Sequence, residues 1–576
     1  MSIVEDLLLD IVVGAFPKIS EPNITLDTPP KKELGDFAFN IFPYAKVMKL
    51  APSVIAEKVA EGLKKHSEYF KEVSIMGGYV NFFLTNEAWV DIFSSLSTEN
   101  KPTNNKTVVV DYIGLNIGKP FHIGHLCTPS IGQAIVNLYR YQGYNVIGDN
   151  HLGDWGGLFG KLIAGYKKYG DQEKLKEDAI EHLLEVYIKI TADAEADPLV
   201  EELCRNEFKK LSESDIENME LWKEFTSYSV NRSNEIIGLI GAKPDYAIGE
   251  SFYEGLPLPK LGNHPDLQYS MKSVVAELIE KEIATKNEDG SVGVIFPEES
   301  KIPSCMLAKR DGTHGYLASD LAATKYRMTN GWNPTKILIC SDVRQQLHFR
   351  QCFSVARQAW PELLEHTELY NITNGYIRLK EGAMSTRKGI IIRLQDLIEE
   401  GFARTKNILV EKGQSLSNAD IEAISIGAIK YSYLAQDREK DVVFDWDKAL
   451  SFEGNSGPYI QYSYVRAKNI IEKSGKITSF QADKLELSEY DRACLRRLSF
   501  FNKAILDTAN KYKPHILATY CYELASEFNA FYVHTPKILE EQDANLRNFR
   551  LSLIMKISET LKKGFELLAI EMPEKM

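Results

Sequence analysis

Two histidines with a glycine between them are the residues best suited to chemistry in this chain. His122 and His125 flank Gly124, follow an apolar, strand-like run from Val108 to Tyr112, and open a helix-like run. The N-terminus of a helix presents unpaired backbone N–H groups and a partial positive charge, which together favour a phosphate chain. The imidazoles could donate to phosphates, and Gly124 would let a flat base lie against the backbone. Four residues alone, however, are better explained as two ordinary histidines beside a helix cap.

Composition sets wide limits on what the protein can be. The chain has 576 residues, of which 44% are hydrophobic and 26% charged. These values exclude the disordered and fibrous classes, and the length predicts three or four domains. Lys and Arg number 68 against 80 Asp and Glu, so the net charge is −12. Bulk charge therefore argues against indiscriminate binding to nucleic acid, although a local basic face can still bind RNA.

Cysteines and terminal residues indicate the compartment. The seven cysteines include no Cys-x-x-Cys pair and no Cys/His cluster at zinc spacing, so we expect reduced thiols and no structural zinc. Glu5 and Asp6 stand where a secretory signal needs basic residues, and Asp10 interrupts the apolar run. No stretch approaches the roughly 20 apolar residues of a transmembrane helix. These features predict a cytoplasmic protein.

Patterns of hydrophobicity predict three domains. Residues 1–104 form a small α+β domain that ends in the polar linker Asn100–Asn105. From 105 to 395, strand-like and helix-like segments alternate, which predicts an α/β domain with a Rossmann-like, doubly wound parallel sheet and an insertion at about 172–300. Residues 396–576 are almost wholly helical in pattern, including Glu489 to Tyr512, and predict an all-α bundle. Ligands of such sheets bind beyond the carboxyl ends of the strands, where the histidines fall.

The residues around the histidines carry a more specific pattern. The histidines are preceded by Asn116, Lys119, Pro120 and Phe121 and followed by Gly153-Asp154-Trp155-Gly156. This stretch resembles the ATP-site signature of class I aminoacyl-tRNA synthetases, and more narrowly that of arginyl-tRNA synthetases. The resemblance continues in the family's order through five later segments: Gly249–Tyr253, Tyr316–Asp320, Gln345–Phe349, Met384–Gly389 and Asn455–Tyr462. Ordered recurrence along nearly the whole chain is far more specific than any one motif.

The resemblance implies a reaction in two steps. Arginine is joined to ATP as an adenylate, and the arginyl group is then transferred to the 3′ end of arginine tRNA, with Mg²⁺ accompanying ATP. Such chemistry needs positioning and electrostatic stabilisation more than an enzyme nucleophile. It implies phosphate contacts from His122 and His125 and an ATP contact at Gly124. The partners it implies are L-arginine, ATP and arginine tRNA, and we expect a monomer that does not associate with membranes.

A second ATP-binding segment departs from the family pattern. The family's Lys-Met-Ser-Lys-Ser loop matches Ala383-Met384-Ser385-Thr386-Arg387, so both lysines are replaced. Met384, Ser385, Arg387 and Lys388 are the ATP-binding candidates in this loop. Lys119 is the candidate replacement cation, by analogy with family members that lack the loop lysine. The alternative is that Lys119 is only a solvated loop charge.

Specificity for arginine demands an anion, because a guanidinium is planar, permanently charged, and offers donors that match a carboxylate. By resemblance, Asp320 lines the side-chain pocket together with Tyr316, four residues earlier, and Gln345 adds an amide contact. Asn116 and Asp111 match positions that hold the substrate, although the family often has Glu in place of Asp111. Without the resemblance, Asp320 would be interpreted as a helix cap.

The C-terminal helices carry the expected tRNA contacts. The segment Asp491–Arg497 resembles the Asp-Ala-Leu-Arg anticodon-binding signature, and aromatic and basic residues alternate around it. Such residues can stack on splayed bases and pair with phosphates, although aromatics at helical spacing also fill cores. A segment near the N-terminus resembles the family's appended domain, which meets the tRNA elbow. The predicted tRNA-contacting residues are Asn40, Tyr459, Gln461, Tyr462, Arg466, Arg496, Phe528 and Tyr532.

Two alternatives stay open from the sequence. One is a different class I synthetase, but the cysteinyl type would need zinc-spaced ligands, and the types for large hydrophobic amino acids normally carry a long editing insertion. The other is a synthetase-derived tRNA-binding or regulatory protein that has lost catalysis. Ala383 is the one feature in favour of that second alternative, whereas the candidate histidines and the arginine-pocket residues are all present.

Overall fold

A small α+β domain begins the chain. The computed structural model describes residues 3–17, 24–118, 121–255, 263–380, 393–411 and 413–576. Within them, the first domain has an antiparallel sheet of order β1-β2-β4-β3, against which α1, α3 and α4 pack. Its elements are α1 Ile3–Ala15, β1 Leu26–Asp27, β2 Phe37–Asn40, α2 Phe42–Met48, α3 Pro52–Leu63, β3 Phe70–Met76, β4 Tyr79–Leu84 and α4 Asn86–Ser95.

A parallel sheet forms the centre of the molecule. Its elements, together with those inserted between its strands, are β5 Thr107–Asp111, α5 Cys127–Tyr141, β6 Asn145–Leu152, α6 Gly157–Tyr169, α7 Gln172–Glu177, α8 Ala179–Ala196, α9 Pro198–Ser212, α10 Ile216–Leu239, β7 Tyr246–Gly249, α11 Glu250–Glu254, α12 Met271–Glu280, β8 Thr285–Lys286, β9 Val292–Val294, β10 Cys305–Ala308, α13 Tyr316–Thr329, β11 Pro334–Asp342, α14 Gln346–Ala359, β12 Glu368–Asn374 and β13 Ile377–Leu379.

The strand order locates the ligand site. Among the described residues the sheet runs β12-β11-β5-β6-β7, with every neighbouring pair parallel. This confirms the predicted doubly wound sheet. The chain leaves β5 towards β6 and β7 and later returns on the other side as β11 and β12. The carboxyl edge between β5 and β11 is therefore the topological switch point at which such sheets bind ligands.

Burial explains why these segments form central strands. Val108, Val109 and Val110 are all fully buried, as expected for a strand covered by helices on both faces. Strand β7 lies inside the stretch 172–300 expected to be an insertion, and it pairs with β6. The inserted chain is therefore split in two. Helices α7 to α10 precede β7, while α12 and the small antiparallel sheet β10-β9-β8 follow it.

Two helices differ from their predicted extent. The helix expected from Ile123 begins as a 3₁₀ turn, Ile123–Leu126, and becomes an α-helix only at Cys127. The segment Glu489–Tyr512, expected to be one helix, forms two helices, α19 (Glu489–Ser499) and α20 (Phe501–Lys511), which meet at Phe500. The ring of Phe500 packs edge-on against Phe37 of the N-terminal domain, so the break lies where the two domains meet.

Helices dominate the last third of the chain. They include two long helices, α18 and α22, that pack side by side, with α21 crossing both. Strand β14 pairs in parallel with β13 and ties this part to the end of the sheet domain. The elements are α15 Leu394–Glu411, α16 Asn418–Leu434, β14 Val442–Phe444, α17 Trp446–Ala449, α18 Gly457–Ser474, α19 Glu489–Ser499, α20 Phe501–Lys511, α21 His515–His534 and α22 Ala544–Leu567.

Candidate active site

The histidine turn closes the carboxyl end of β5. The backbone N–H of Gly124 donates to His122 Nδ1 at 3.0 Å, and the backbone N–H of His122 donates to His125 Nδ1 at 3.0 Å. Each side chain thus caps the turn that holds the other, and the ring centroids lie 4.1 Å apart. Because both Nδ1 atoms accept, the proton of each neutral ring is on Nε2. The turn therefore offers two Nε2–H donors at the edge of the sheet.

Electrostatics keep both rings neutral. Burial and the neighbouring His122 lower the pKa of His125 to about 4. Burial, followed by the positive charge of Arg344, lowers the pKa of His122. Neutral donors can still bind phosphate oxygens, but they bring no positive charge. Any cation that faces the phosphates must come from another residue.

The loop between β5 and the histidines is strained and closely packed. Ile113, a buried β-branched residue, has a φ of 117°, a conformation that costs on the order of 1–3 kcal/mol and occurs mainly at functional sites. Asn116 forms a parallel bridge with Gly153 at the end of β6. A Cβ at position 153 would lie 2.4 Å from Asn116 Oδ1, so only glycine allows this approach. The loop that contains Asn116 and the Gly-Asp-Trp-Gly motif thus meet beyond the carboxyl ends of β5 and β6.

A cavity of about 200 Å³ opens beside this bridge. Two residues predicted to bind arginine, Asn116 and Tyr316, line it, and Tyr316 is 71% exposed at the start of α13. Glu250, the first residue of α11, lines the same cavity and is almost wholly buried. Burial, with the negative charges of Asp154 and Asp320, raises the pKa of Glu250 to about 9. The cavity thus presents a carboxyl that is neutral at neutral pH and that a bound cation would ionise.

Asp154 fixes the position of Glu250. Its carboxylate accepts from the backbone N–H of Ser251 at 2.9 Å and from the Ser251 hydroxyl at 2.6 Å, which anchors the first turn of α11. Burial raises the pKa of Asp154 to about 6, although the two Ser251 hydrogen bonds lower it. Asp154 of the Gly-Asp-Trp-Gly motif therefore holds in place the helix that carries Glu250, one of the residues that line the cavity.

Asp320 lies one turn into α13, between two imidazoles. His348 Nε2 is 2.5 Å from its Oδ2, and His151 Nε2 is 3.9 Å from its Oδ1. Burial would raise the pKa of Asp320, but the hydrogen bond from His348 and the charges around it lower the pKa below its usual value. Asp320 is therefore a carboxylate at neutral pH, as a guanidinium partner must be. Gln345 is exposed at the end of a 3₁₀ turn, next to α14, which carries His348.

The carboxylate of Asp111 pairs with a guanidinium of the same chain. Arg327 donates to Asp111 Oδ2 at 2.7 Å and to Asp149 Oδ2 at 2.7 Å, and all three side chains are buried. The predicted direct contact between Asp111 and arginine therefore has no support in this geometry, because its carboxylate faces an internal guanidinium beneath the cavity. The shorter side chain of Asp, where the family often has Glu, is consistent with that position.

Several predicted ATP-site residues cannot be placed. Lys119 and the loop positions Ala383, Met384, Ser385, Arg387 and Lys388 lie outside the described residues. Strand β13 and helix α15, which flank the loop, lie close to the histidine turn: the backbone N–H of Leu394 donates to Phe121 O at 2.9 Å.

A basic and aromatic surface lies on the C-terminal helices. The guanidinium of Arg466 on α18 is 4.7 Å from the ring centroid of Tyr462 and 5.0 Å from that of Tyr532 on α21. Its Nη1 donates to Asn529 Oδ1 at 2.6 Å, which fixes it between the rings. Both tyrosines are more than one-third exposed. We call Tyr462, Arg466 and Tyr532 the arginine–tyrosine stack.

Other residues predicted to touch tRNA have structural positions. Gln461 and Phe528 are fully buried, and the Gln461 amide donates to Ala423 O and Glu571 O at 2.9 Å. Both side chains fill the interior of the bundle, so in this conformation neither presents a surface on which a base could stack. Asn40 accepts from the Phe42 N–H at the start of α2, Arg496 Nη1 lies 3.5 Å from Asp36 O, and Tyr459 packs against Tyr522.

Comparison with known proteins gives a consistent result along the chain. Family models match residues 91–446 (tRNA synthetases class I (R), catalytic domain), 460–576 (DALR anticodon binding domain) and 2–84 (Arginyl tRNA synthetase N terminal domain). The chain is 36% identical over 564 residues to an arginine–tRNA ligase of Clostridium botulinum (strain 657 / Type Ba4), with 96% of each chain covered. The chain belongs to the arginyl-tRNA synthetase family. As a member, it is an ATP-dependent class I aminoacyl-tRNA ligase.

Further relatives agree with this membership. An arginine–tRNA ligase of Clostridium kluyveri is 36% identical over 567 residues, again with 96% of each chain covered. The fold matches the arginyl-tRNA synthetase of Thermus thermophilus with a TM-score of 0.80 and 24% identity over 100% of this chain and 99% of that one. It also matches the enzyme from Plasmodium falciparum, with a TM-score of 0.77, 23% identity and coverage of 100% and 98%. The arginyl-tRNA synthetase architecture thus spans the whole chain.

Sequence reasoning missed three residues of this arginyl-tRNA synthetase site. Glu250 and His348 could have been found, because they stand in the Gly249–Tyr253 and Gln345–Phe349 segments that carried part of the resemblance. Arg327 carried no local signal, since its partner Asp111 lies 216 residues away. Within the described part of the chain, no group of three or more His, Cys, Asp or Glu side chains is arranged to hold a metal. None of the described helices is long and apolar enough to cross a membrane.

Proposed function

We propose that this protein activates L-arginine with ATP to arginyl-adenylate and transfers the arginyl group to the 3′ end of arginine tRNA, releasing AMP and pyrophosphate. One observation carries the proposal. A cavity lined by Asn116, Tyr316 and the buried Glu250, which lies within the electrostatic reach of Asp320, opens beside the loop that leads to the two Nε2–H donors of His122 and His125. An acidic pocket next to a phosphate-binding turn fits a cationic amino acid and ATP together.

Arginine would enter with its guanidinium towards the acids. A planar fork of donors can engage Glu250 and Asp320 at once, and Tyr316 at the mouth can close over the side chain. Asn116, on the loop that leads to the histidines, would hold the end of the substrate that reacts. Lysine and ornithine leave part of this acceptor set unpaired, so sites of this kind reject them by roughly 10⁴ to 10⁵.

ATP would lie with its phosphates over the histidine turn. Because the imidazoles are neutral, positive charge must come from elsewhere. We propose Lys119 for this role, with Arg387 and Lys388 as further candidates from the loop that begins at Ala383. Mg²⁺ would be carried by the ATP phosphates, as is usual for this ion, and would offset their charge. The residues themselves act by holding the carboxylate of arginine in line with the α-phosphate.

The remaining domains would bind the tRNA. The arginine–tyrosine stack offers two exposed rings and a fixed guanidinium, which suits unstacked anticodon bases. The N-terminal domain, with Asn40 at the end of β2, would meet the tRNA elbow. We place the domain boundaries near residues 104 and 395. We infer a cytoplasmic enzyme that acts as a monomer.

The decisive experiment is to measure arginine charging of arginine tRNA and arginine-dependent ATP–pyrophosphate exchange, with and without tRNA. Charging with arginine but not with lysine, abolished in a His122→Asn/His125→Asn variant, is the expected result. Exchange that appears only when tRNA is present would show that adenylate formation waits for tRNA. Tight tRNA binding without exchange or charging would instead favour a tRNA-binding protein that has lost catalysis, with Ala383 as its cause.

A further inference from the structure

His348 is in direct contact with the carboxylate that we expect to recognise arginine. It is the third residue of α14, and its Nε2 lies 2.5 Å from Oδ2 of Asp320 on α13. Both side chains reach solvent only slightly, with 28% of His348 and 14% of Asp320 exposed. One of the two oxygens of Asp320 is therefore already engaged before any substrate arrives.

That contact has two chemically different forms. A neutral imidazole with its proton on Nε2 donates one hydrogen bond, orients the carboxylate and leaves its negative charge free. An imidazolium donates the same bond but also neutralises the charge. Since a guanidinium binds a carboxylate through charge-assisted hydrogen bonds, the imidazolium and the substrate use the same acceptor. The protonation state of His348 thus decides how strongly Asp320 attracts arginine.

We propose that His348 is a positioning residue of the arginine pocket: its neutral form holds Asp320 in place for the guanidinium, and its protonated form competes with arginine for that carboxylate. The proposal rests on the proposed function, because it requires arginine to bind here. It predicts that a proton and arginine bind in competition.

Neighbouring charges influence the pKa of His348. Asp320 is the charged partner of His348, and the charges that act on Asp320 come from Arg327 on α13 and His151 on β6, with Glu250 on α11 also near it. Burial alone would lower the pKa of His348, but the hydrogen bond and the negative charge of Asp320 raise it above the ordinary value for histidine. His348 therefore titrates above the ordinary histidine range. Glu250, with a pKa of about 9, adds a separate pH dependence that the wild type and the His348 variants share.

The sign of the effect follows from competition. As the pH falls below the pKa of His348, a growing fraction of the enzyme holds an imidazolium against Asp320, and the KM for arginine rises. The limiting slope is about tenfold per pH unit, because one proton excludes one arginine. The kcat at saturating arginine stays unchanged, since an excess of arginine displaces the competing proton from His348.

The test is the arginine KM and kcat for tRNA charging between about pH 6 and 8.5 in the wild type, His348→Gln and His348→Ala. Glutamine keeps an N–H donor near the Nε2 position but does not titrate. We expect the wild-type KM to rise as the pH falls and to do so more steeply than the KM of H348Q, whose remaining slope comes from Glu250. At pH 8 the KM of H348Q should lie within about threefold of wild type, and H348A should have a raised KM at every pH.

A matched control is His366→Gln, an exposed histidine in the loop after α14, which should keep the wild-type pH profile. The proposal is overturned by a wild-type KM that does not change with pH, or by H348Q retaining the wild-type slope. Failure of the proposed function would look different, because no arginine concentration at any pH would then give charging. If H348Q does not fold, as judged by circular dichroism, H348N supplies the non-titrating donor.

Discussion

At the scale of single residues, the candidate site is defined by where its protons lie. His122 and His125 accept backbone N–H groups at Nδ1 and so expose only Nε2–H donors. Glu250 is neutral at neutral pH because burial and neighbouring acids raise its pKa to about 9. Asp320, held by His348, stays ionised. The pocket thus holds one ready carboxylate and one that ionises when a cation arrives.

Arginine binding should release the proton of Glu250. The bound guanidinium stabilises the carboxylate, so its pKa falls from about 9, and affinity for arginine should increase as the pH rises towards 9. Glu250→Gln removes the negative charge and should raise the arginine KM by roughly 10- to 100-fold, the range expected for a charged hydrogen bond, with a smaller effect on kcat.

Calorimetry tests this directly. Titration of arginine into the enzyme at pH 7.5, in buffers of different ionisation enthalpy, should show proton release by the wild type and less by E250Q, which retains only the proton that arginine displaces from His348. Glu280→Gln, on the exposed face of α12, is the matched control and should behave as wild type. Equal proton release by E250Q and the wild type would assign the proton to another group.

At the scale of elements, helices α18 and α21 are joined through the arginine–tyrosine stack. Tyr462 and Arg466 are one turn apart on α18, so they share a face, and Tyr532 completes the stack from α21. Helical spacing alone predicts the first pair. The second ring, that of Tyr532, depends on how α18 and α21 pack, and the packing of α21 also buries Phe528, one turn before Tyr532.

Tyr532→Leu should weaken tRNA binding and leave the chemistry intact. A base stacked on an aromatic ring contributes about 1–3 kcal/mol, so the tRNA KM should rise by roughly 5- to 150-fold while kcat changes little. Tyr532→Phe keeps the ring and should retain the wild-type KM. A wild-type tRNA KM in Y532L would remove the stack from the tRNA-binding surface.

At the scale of the whole molecule, Lys430 links three distant parts of the chain. It lies on α16, and its Nζ donates to Ile240 O, just after α10, at 2.6 Å and to Ala569 O, just after α22. Helix C-termini leave carbonyls unpaired, so one buried amine satisfies two of them. Burial lowers the pKa of Lys430 to about 7, and Glu571 opposes that effect.

Stability should therefore depend on the protonation of Lys430. The unfolded chain binds the lysine proton up to a pKa of about 10.4, whereas the folded chain loses it above about 7. Between these values the unfolded state holds more protons, so the contribution of Lys430 to stability rises with pH, by up to about 1.4 kcal/mol per unit. Below pH 7 the penalty of burying the charge is present in full.

Urea unfolding of the wild type and Lys430→Met at pH 7, 8 and 9 measures this contribution. Methionine leaves both carbonyls unpaired, at roughly 1–3 kcal/mol each, and cannot titrate. The stability advantage of the wild type over K430M should widen from pH 7 to 9. Lys562→Met, at an exposed position on α22, should show no such widening. Parallel pH profiles for the wild type and K430M would contradict the assignment.

Local patterns were sufficient for the backbone framework. The apolar run from Val108 to Tyr112 and the helix-like run that the histidines open each predicted an element that the structure contains. They succeed because strands and helices are set by hydrogen bonds and by faces that repeat every two to four residues. The same patterns located the switch point of the sheet.

Only the tertiary structure decided which side chains meet. Sequence spacing placed Asp111 in the arginine pocket, but packing set Arg327, from the end of α13, against it. His348 reaches Asp320, and Gln461 turns into the bundle, for the same reason. A buried charge or amide must find its partner wherever packing provides one, and the partner's distance along the chain has no bearing on that need. The sequence by itself therefore determined the family and most of the elements, because both follow from local patterns, while the three-dimensional packing decided which side chains of the candidate site pair within the protein and which remain available.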